Sequence, residues 1–129
     1  MVVDASVIVS AVADDSDDGD RTRARLRGER LVAPELLDLE VLSGLRSLVA
    51  RGDVDSRRAQ FAVDDLVALD IGRVGHAALI ARVWELRESV TPYDAAYVAL
   101  AEALTVVLVT ADATLARAPG PRCTIELLA

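Results

Sequence analysis

Four acidic residues stand where a carboxylate can act on a ligand: Asp4, Glu40, Asp94 and Asp112. Asp4 follows the apolar start Met1-Val2-Val3, Asp112 follows the β-branched run TVVLVT (Thr105–Thr110), and Asp94 sits just inside the helix opened by Thr91-Pro92. In open α/β sheets, ligands bind in the crevice at the carboxyl ends of the strands. Glu40 differs. It lies within a helix, at the edge of the stripe Leu37, Val41 and Leu48, and Gly44 one turn on leaves space beside it. Each acid also has a purely local reading. Asp4 and Asp112 can cap the helices that follow them, and Asp94 makes a capping box with Thr91, with Asp in place of Glu. Glu40 can be a surface glutamate.

Read jointly, the four acids can converge on one pocket. Unpaired, they would repel one another and their pKa values would rise. A divalent cation removes that penalty. Hard carboxylate oxygens suit Mg²⁺ or Mn²⁺, whereas zinc prefers His and Cys. The chain has one of each, His76 and Cys123, far apart. Carboxylate-held Mg²⁺ near a phosphodiester orients and deprotonates water, and two ions about 4 Å apart also stabilise the leaving oxygen. Ser6 and Thr110 stand beside Asp4 and Asp112. Their hydroxyls can orient a carboxylate or a water, or serve ordinary turn and cap chemistry.

The elements that must position these residues follow from pattern. Met1–Asp4 reads as a short buried strand, followed by an apolar helix over Ala5–Ala13. The acidic run Asp14–Asp20 reads as a solvated loop. Its EF-hand spacing fails at the twelfth position, which is Arg25 rather than Glu. A polar arginine-rich helix is expected over Arg21–Arg30, then a strand over Leu31–Pro34. Leu37, Val41, Leu45 and Leu48 recur at helical spacing within Glu35–Arg51, and Gly52 stops that helix. Asp55–Leu69 completes a helical hairpin. Further expectations are a strand over Asp70–Val74, helices over Gly75–Arg87 and Thr91–Leu104, and a strand over Thr105–Thr110. A helical turn at Asp112–Ala116 and a strand over Cys123–Leu127 end the series. Strands alternating with helices predict an α/β fold with a mostly parallel sheet.

Composition sets the limits. At 129 residues, residues 1–129 are expected to form a single domain. With 53% apolar and 27% charged residues, the chain can bury a sizeable core and does not read as disordered. No apolar run approaches the ~18 residues of a membrane span, and no basic segment precedes the first apolar stretch. The single cysteine points to a reducing cytoplasm. A net charge of −7 excludes nucleic-acid binding by bulk electrostatics alone. All 14 basic residues are arginines, the better bidentate phosphate partners, and Arg21, Arg23, Arg25 and Arg27 either grip nucleic acid or form a solvated helix face. Aromatics are few. Phe61 and Trp84 fall in amphipathic helices as core or dimer contacts, and Tyr93 and Tyr97 are expected to pack against the sheet.

Four segments resemble, in order, the motifs of VapC-type PIN domains. They are MVVDASVIV with Asp4 and Ser6, LVAPELLDLEVLSGL with Glu40, TPYDAAYVALAE with Asp94, and VLVTADATLA with Thr110 and Asp112. Together they span nearly the whole chain. The resemblance implies a PIN-like fold, a central parallel sheet sandwiched by helices. It implies Mg²⁺- or Mn²⁺-dependent endoribonuclease action as the toxin of a toxin–antitoxin pair. It also implies a VapB-type antitoxin whose tail blocks the active site, and a homodimer. By the same resemblance Asp4, Glu40, Asp94 and Asp112 form the catalytic quartet. Asp4, Asp94 and Asp112 hold metal, and Glu40 ligates directly or through water.

Two other functions fit parts of the pattern. A phospho-acceptor receiver domain shares the length and the acids at strand ends, but that family uses a lysine after its last core strand and this chain has none. A non-catalytic PIN-like binding module would need no acids, and all four are present. There is no Walker A loop and no G-x-G-x-x-G, so nucleotide cofactors are not indicated.

Overall fold

The computed structural model describes residues 1–128. Its centre is set by the first three residues. Val2 and Val3 form strand β1 and both are fully buried. Successive side chains of a strand point to opposite faces, so the sheet is covered on both sides at this point. The remaining strands are β2 (Leu31–Pro34), β3 (Ile71–Val74), β4 (Leu108–Thr110) and β5 (Ile125–Leu127). The order is β3-β2-β1-β4-β5 and every pairing is parallel. Val2 stands opposite Val32 on one side and Leu108 on the other.

Seven helices flank the sheet: α1 (Ala5–Ala13), α2 (Asp17–Leu26), α3 (Leu37–Ala50), α4 (Ser56–Ala68), α5 (Ile80–Glu85), α6 (Pro92–Leu104) and α7 (Ala113–Arg117). Helix α1 buries Val7, Ile8 and Val12 among α2, α3, α4 and β4. Each such side chain contributes about 1.5–3 kcal/mol when fully buried. Gly44 allows the close approach of α1 to α3, since a Cβ there would meet Val9 Cγ2 at 3.0 Å. The space expected beside Glu40 is therefore filled by helix packing. Helix α6 lies across β2, β1 and β4 and is buried continuously from Ala95 to Ala101. Its four alanines in that stretch let its backbone lie close to the sheet.

Several element limits differ from expectation for local reasons. Helix α2 begins at Asp17, inside the acidic run expected to be a loop. Ser16 caps it, Asp14 accepts from both Ser16 N (2.8 Å) and Ser16 Oγ (2.6 Å), and Asp17, Asp18 and Asp20 lie in the first turn, where acids are favoured. Strand β4 starts at Leu108 because Thr105 takes the left-handed conformation (φ 55°) that ends α6. The helix expected over Gly75–Arg87 is a 3-10 turn (Ala77–Leu79) followed by the short α5. No helix of the described residues is long and apolar enough to cross a membrane.

Candidate active site

The carboxyl ends of β1 and β4 hold a buried, multiply hydrogen-bonded carboxylate. Asp4 follows β1 and is only 5% exposed. Its Oδ1 accepts from the Ser6 amide at 2.8 Å, from the Ser6 hydroxyl, and from the Val7 amide at 3.4 Å. That is N-cap geometry for α1, so the local reading of Asp4 holds as well. The other oxygen does something a cap does not require. Asp4 Oδ2 accepts from the buried Thr110 hydroxyl at 2.5 Å, across 106 residues of sequence. Thr110 Oγ1 in turn accepts from the Asp112 amide at 3.0 Å, and Ser6 Oγ accepts from the Ala111 amide at 2.9 Å. Two hydroxyls thus tie the end of β1 to the end of β4, and each is used as both donor and acceptor.

Asp112 caps α7 through Oδ1, which accepts from Thr114 N at 2.8 Å and Leu115 N at 3.4 Å. Asp94 lies in the first turn of α6. Its amide donates to the capping Thr91 hydroxyl at 3.2 Å, which is one half of the expected capping box. The returning half, to the Thr91 amide, is not made among the described residues; the Thr91 side chain is the one group that lowers the Asp94 carboxyl, and its effect is the smallest of those acting there. That carboxyl is pushed up to about 6, first by burial and then by the charges of Asp4, Glu40 and Asp112. Those causes put all four acids in one electrostatic field. Glu40 is also raised, by burial first, with Asp4 adding to the effect and the Tyr97 hydroxyl opposing it. Tyr97 is 1% exposed, and its hydroxyl donates to Glu40 Oε1 at 2.6 Å.

No arginine makes a salt bridge to any of the four acids among the described residues. The donor set is therefore four hard oxygen ligands with no nitrogen or sulfur, which is the chemistry Mg²⁺ or Mn²⁺ takes. The side chains are not already drawn into a cage: no three Asp, Glu, His or Cys groups of the described residues stand in ligating array. Ser6 and Thr110 hold Asp4, and Tyr97 holds Glu40. In donor chemistry, though not in an assembled array, the four acids fit a hard divalent cation.

Other expected residues behave differently. Arg23 pairs with Asp20 and donates to the carbonyls of Ala11 (3.0 Å) and Asp14 (2.8 Å), bracing the end of α1. Arg25 makes a two-pronged pair with Glu126 at 2.8 and 2.9 Å, and Arg21 pairs with Asp18. Three of the four arginines named for nucleic acid are thus already tied to carboxylates of their own chain. Trp84 is 67% exposed and Phe61 53%, so neither is in the core. Tyr93 is 63% exposed and does not pack on the sheet. It lines an apolar groove of ≈ 320 Å³ together with Ile80 and Trp84, with Arg87 stacked 4.7 Å from the Trp84 ring. The residue that sequence reading missed is Tyr97. Its signal was its place three residues after Asp94, on the same helix face.

The PIN domain family profile matches residues 1–121, and the chain belongs to the PIN-domain family. Within that family its full-length similarity is to VapC ribonucleases. It is 43% identical over 128 residues to Ribonuclease VapC1 of Mycobacterium tuberculosis, covering 98% of this chain and 96% of that protein. It is 38% identical to Ribonuclease VapC9 of the same species, covering 99% and 98%. Among solved structures it resembles VapBC2 from Rickettsia felis, crystallised with a DNA fragment from their promoter, with a TM-score of 0.70 at 15% identity over 99% of this chain and 98% of that one. At that identity the likeness is one of fold.

Proposed function

We propose that this chain is a Mg²⁺- or Mn²⁺-dependent endoribonuclease, the toxin of a toxin–antitoxin pair, and that Asp4, Glu40, Asp94 and Asp112 form its site. The observation that carries the reading is the half-buried Asp94 carboxylate, which no arginine meets among the described residues and which burial and three other acids raise. A fold under selection for stability alone would pair such a group with an arginine or replace it, because an uncompensated carboxylate penalises folding. The VapC names of relatives matched over nearly the full length support the same reading.

Asp4, Asp94 and Asp112 are the proposed metal ligands, with Glu40 ligating directly or through water. The bound cation supplies neutralisation of the phosphodiester's developing charge and activation of the attacking water. The chain's own residues supply position. Thr110 and Ser6 fix both oxygens of Asp4, and Thr110 also fixes the backbone at Asp112. Glu40, whose Oε1 accepts from the Tyr97 hydroxyl, would accept a proton from water.

The proposed partners are an RNA substrate, a VapB-type antitoxin and a second copy of the chain, in the cytoplasm. The apolar groove beside Asp94, where Trp84 and Tyr93 stand exposed, offers a polypeptide partner surface to bury. The test is cleavage of a mixed RNA pool by purified protein with Mg²⁺ or Mn²⁺, then with EDTA, beside Asp4→Asn. Metal-dependent cutting that Asp4→Asn abolishes is the expected result. If nothing is cut and Mn²⁺ does not bind, a non-catalytic PIN-like module replaces the reading.

A further inference from the structure

From Ala95 to Ala101, helix α6 is buried without interruption and contains one polar side chain, Tyr97. Packing alone would be served by phenylalanine there. A buried hydroxyl must find a partner, and this one has reached 57 residues back along the chain to a carboxylate on α3. The bond is short (2.6 Å) and charge-assisted. Tyr97 also sits about one turn beyond Asp94, so one helix face delivers both an acid of the site and the donor that holds another.

We propose that Tyr97 is the positioning residue for Glu40: its hydroxyl occupies Oε1 and thereby commits the other oxygen, Oε2, to the acidic cleft and its ligands. Glu40 stands within α3 on a long side chain that can take many rotamers, and among the described residues Tyr97 is its one hydrogen-bond donor. Asp4, by contrast, is fixed by Ser6, Val7 and Thr110. Without Tyr97, repulsion from Asp4 would turn Glu40 outward toward water. The inference rests on the nuclease reading for its functional meaning and on the α6–α3 hydrogen bond for its physical basis.

The experiment is a double-mutant cycle on the full chain with Tyr97→Phe, Glu40→Gln and both together. Three quantities are read: melting temperature without metal, Mn²⁺ affinity by calorimetry, and the rate of RNA-pool cleavage at saturating Mn²⁺. Tyr97→Phe is expected to lower the melting temperature by a few degrees while leaving the chain folded, since the ring still fills its place. It should weaken Mn²⁺ binding or cleavage by ~10-fold or more, the scale seen when a ligand's supporting partner is removed. The double variant should lose no more than Glu40→Gln alone, because the hydroxyl acts only through that carboxylate. Wild-type behaviour of Tyr97→Phe overturns the inference. So do losses that multiply in the double variant, since a packing defect would add independently of Glu40. If the wild type binds Mn²⁺ but cuts nothing, the nuclease reading falls while the binding cycle still decides the role of Tyr97.

Discussion

Helix α6 carries one partly buried acid in its first turn, Asp94, and another in its last, Glu102. The helix dipole favours the first and disfavours the second by ~0.3–1 kcal/mol each. The molecule reverses that order. Asp94 is pushed up to about 6, mainly by burial and by three acidic neighbours. Glu102 is held below the usual range despite its burial, because Arg82 grips it at 2.7 and 3.1 Å and the Arg122 amide donates at 2.8 Å. What faces an acid therefore outweighs where it sits on the helix. The same contrast runs through the fold. Glu126, Asp15 and Asp38 are met by Arg25, Arg58 and Arg73, while no arginine bridges the four acids at the sheet's carboxyl end among the described residues. One set of carboxylates is used to hold the structure together, and the other is left uncompensated at a cost to it.

The sharpest way to test this contrast is Asp94→Asn. Cleavage should fall by roughly 10²–10³-fold, the scale of losing one electrostatic group in a transition state. The melting temperature at pH 7 should stay level or rise, because a desolvated and repelled charge has gone. A fall in melting temperature with cleavage intact would return Asp94 to the role of a helix-terminus residue. Thr110→Val comes next. It strips Asp4 Oδ2 of its donor and the Asp112 amide of its acceptor, so cleavage should drop ~10–100-fold. Stability in urea should fall by ~1–2 kcal/mol. Glu102→Gln should show the opposite balance. It leaves Arg82 half-buried and poorly paired, costing ~1–2 kcal/mol, below the figure for a fully enclosed pair, with cleavage per folded molecule unchanged. A loss of cleavage there would mean that the two ends of α6 are coupled.

The smallest effect is one of pH. In the unfolded chain Asp94 ionises near 3.8, and in the fold it ionises at about 6. Between those values the unfolded state has released the proton and the folded state has kept it. Asp94 therefore weakens the metal-free fold as pH rises through that window, and costs nothing below it. The advantage of Asp94→Asn in melting temperature should be full at pH 7 and gone by about pH 4. Equal advantage at both values would show that repulsion is not its source.

Much of the fold was legible because its signals are local. The all-parallel sheet follows from strands alternating with helices, and Pro34, Gly52 and Pro92 mark helix and strand limits near where they fall. The misreadings came from tertiary context. TVVLVT looks like one strand, but Thr105 closes α6 and only the last three residues form β4, of which Leu108 and Val109 pair with β1. Trp84 and Phe61 read as core or dimer contacts, and their exposure removes the first of those readings. Of the proposed site, Asp4, Asp94 and Asp112 could be picked out because strand and helix ends are visible in sequence. Glu40 had only an edge position, and Tyr97 read as an ordinary aromatic because its partner is 57 residues away. A hydrogen bond between two helices leaves no periodic trace in a single chain.

The central strand has a consequence for synthesis. β1 leaves the ribosome well before β4, its neighbour in the sheet. Until β4 emerges, the amides of Val2 and Asp4 lack the Val107 and Val109 carbonyls that will receive them, and one edge of the innermost strand stays open. For most of its translation the nascent chain therefore carries Asp4 without Thr110 and Asp112. A chain cut short before Val109 would leave that edge of β1 unpaired, and an open strand edge invites aggregation.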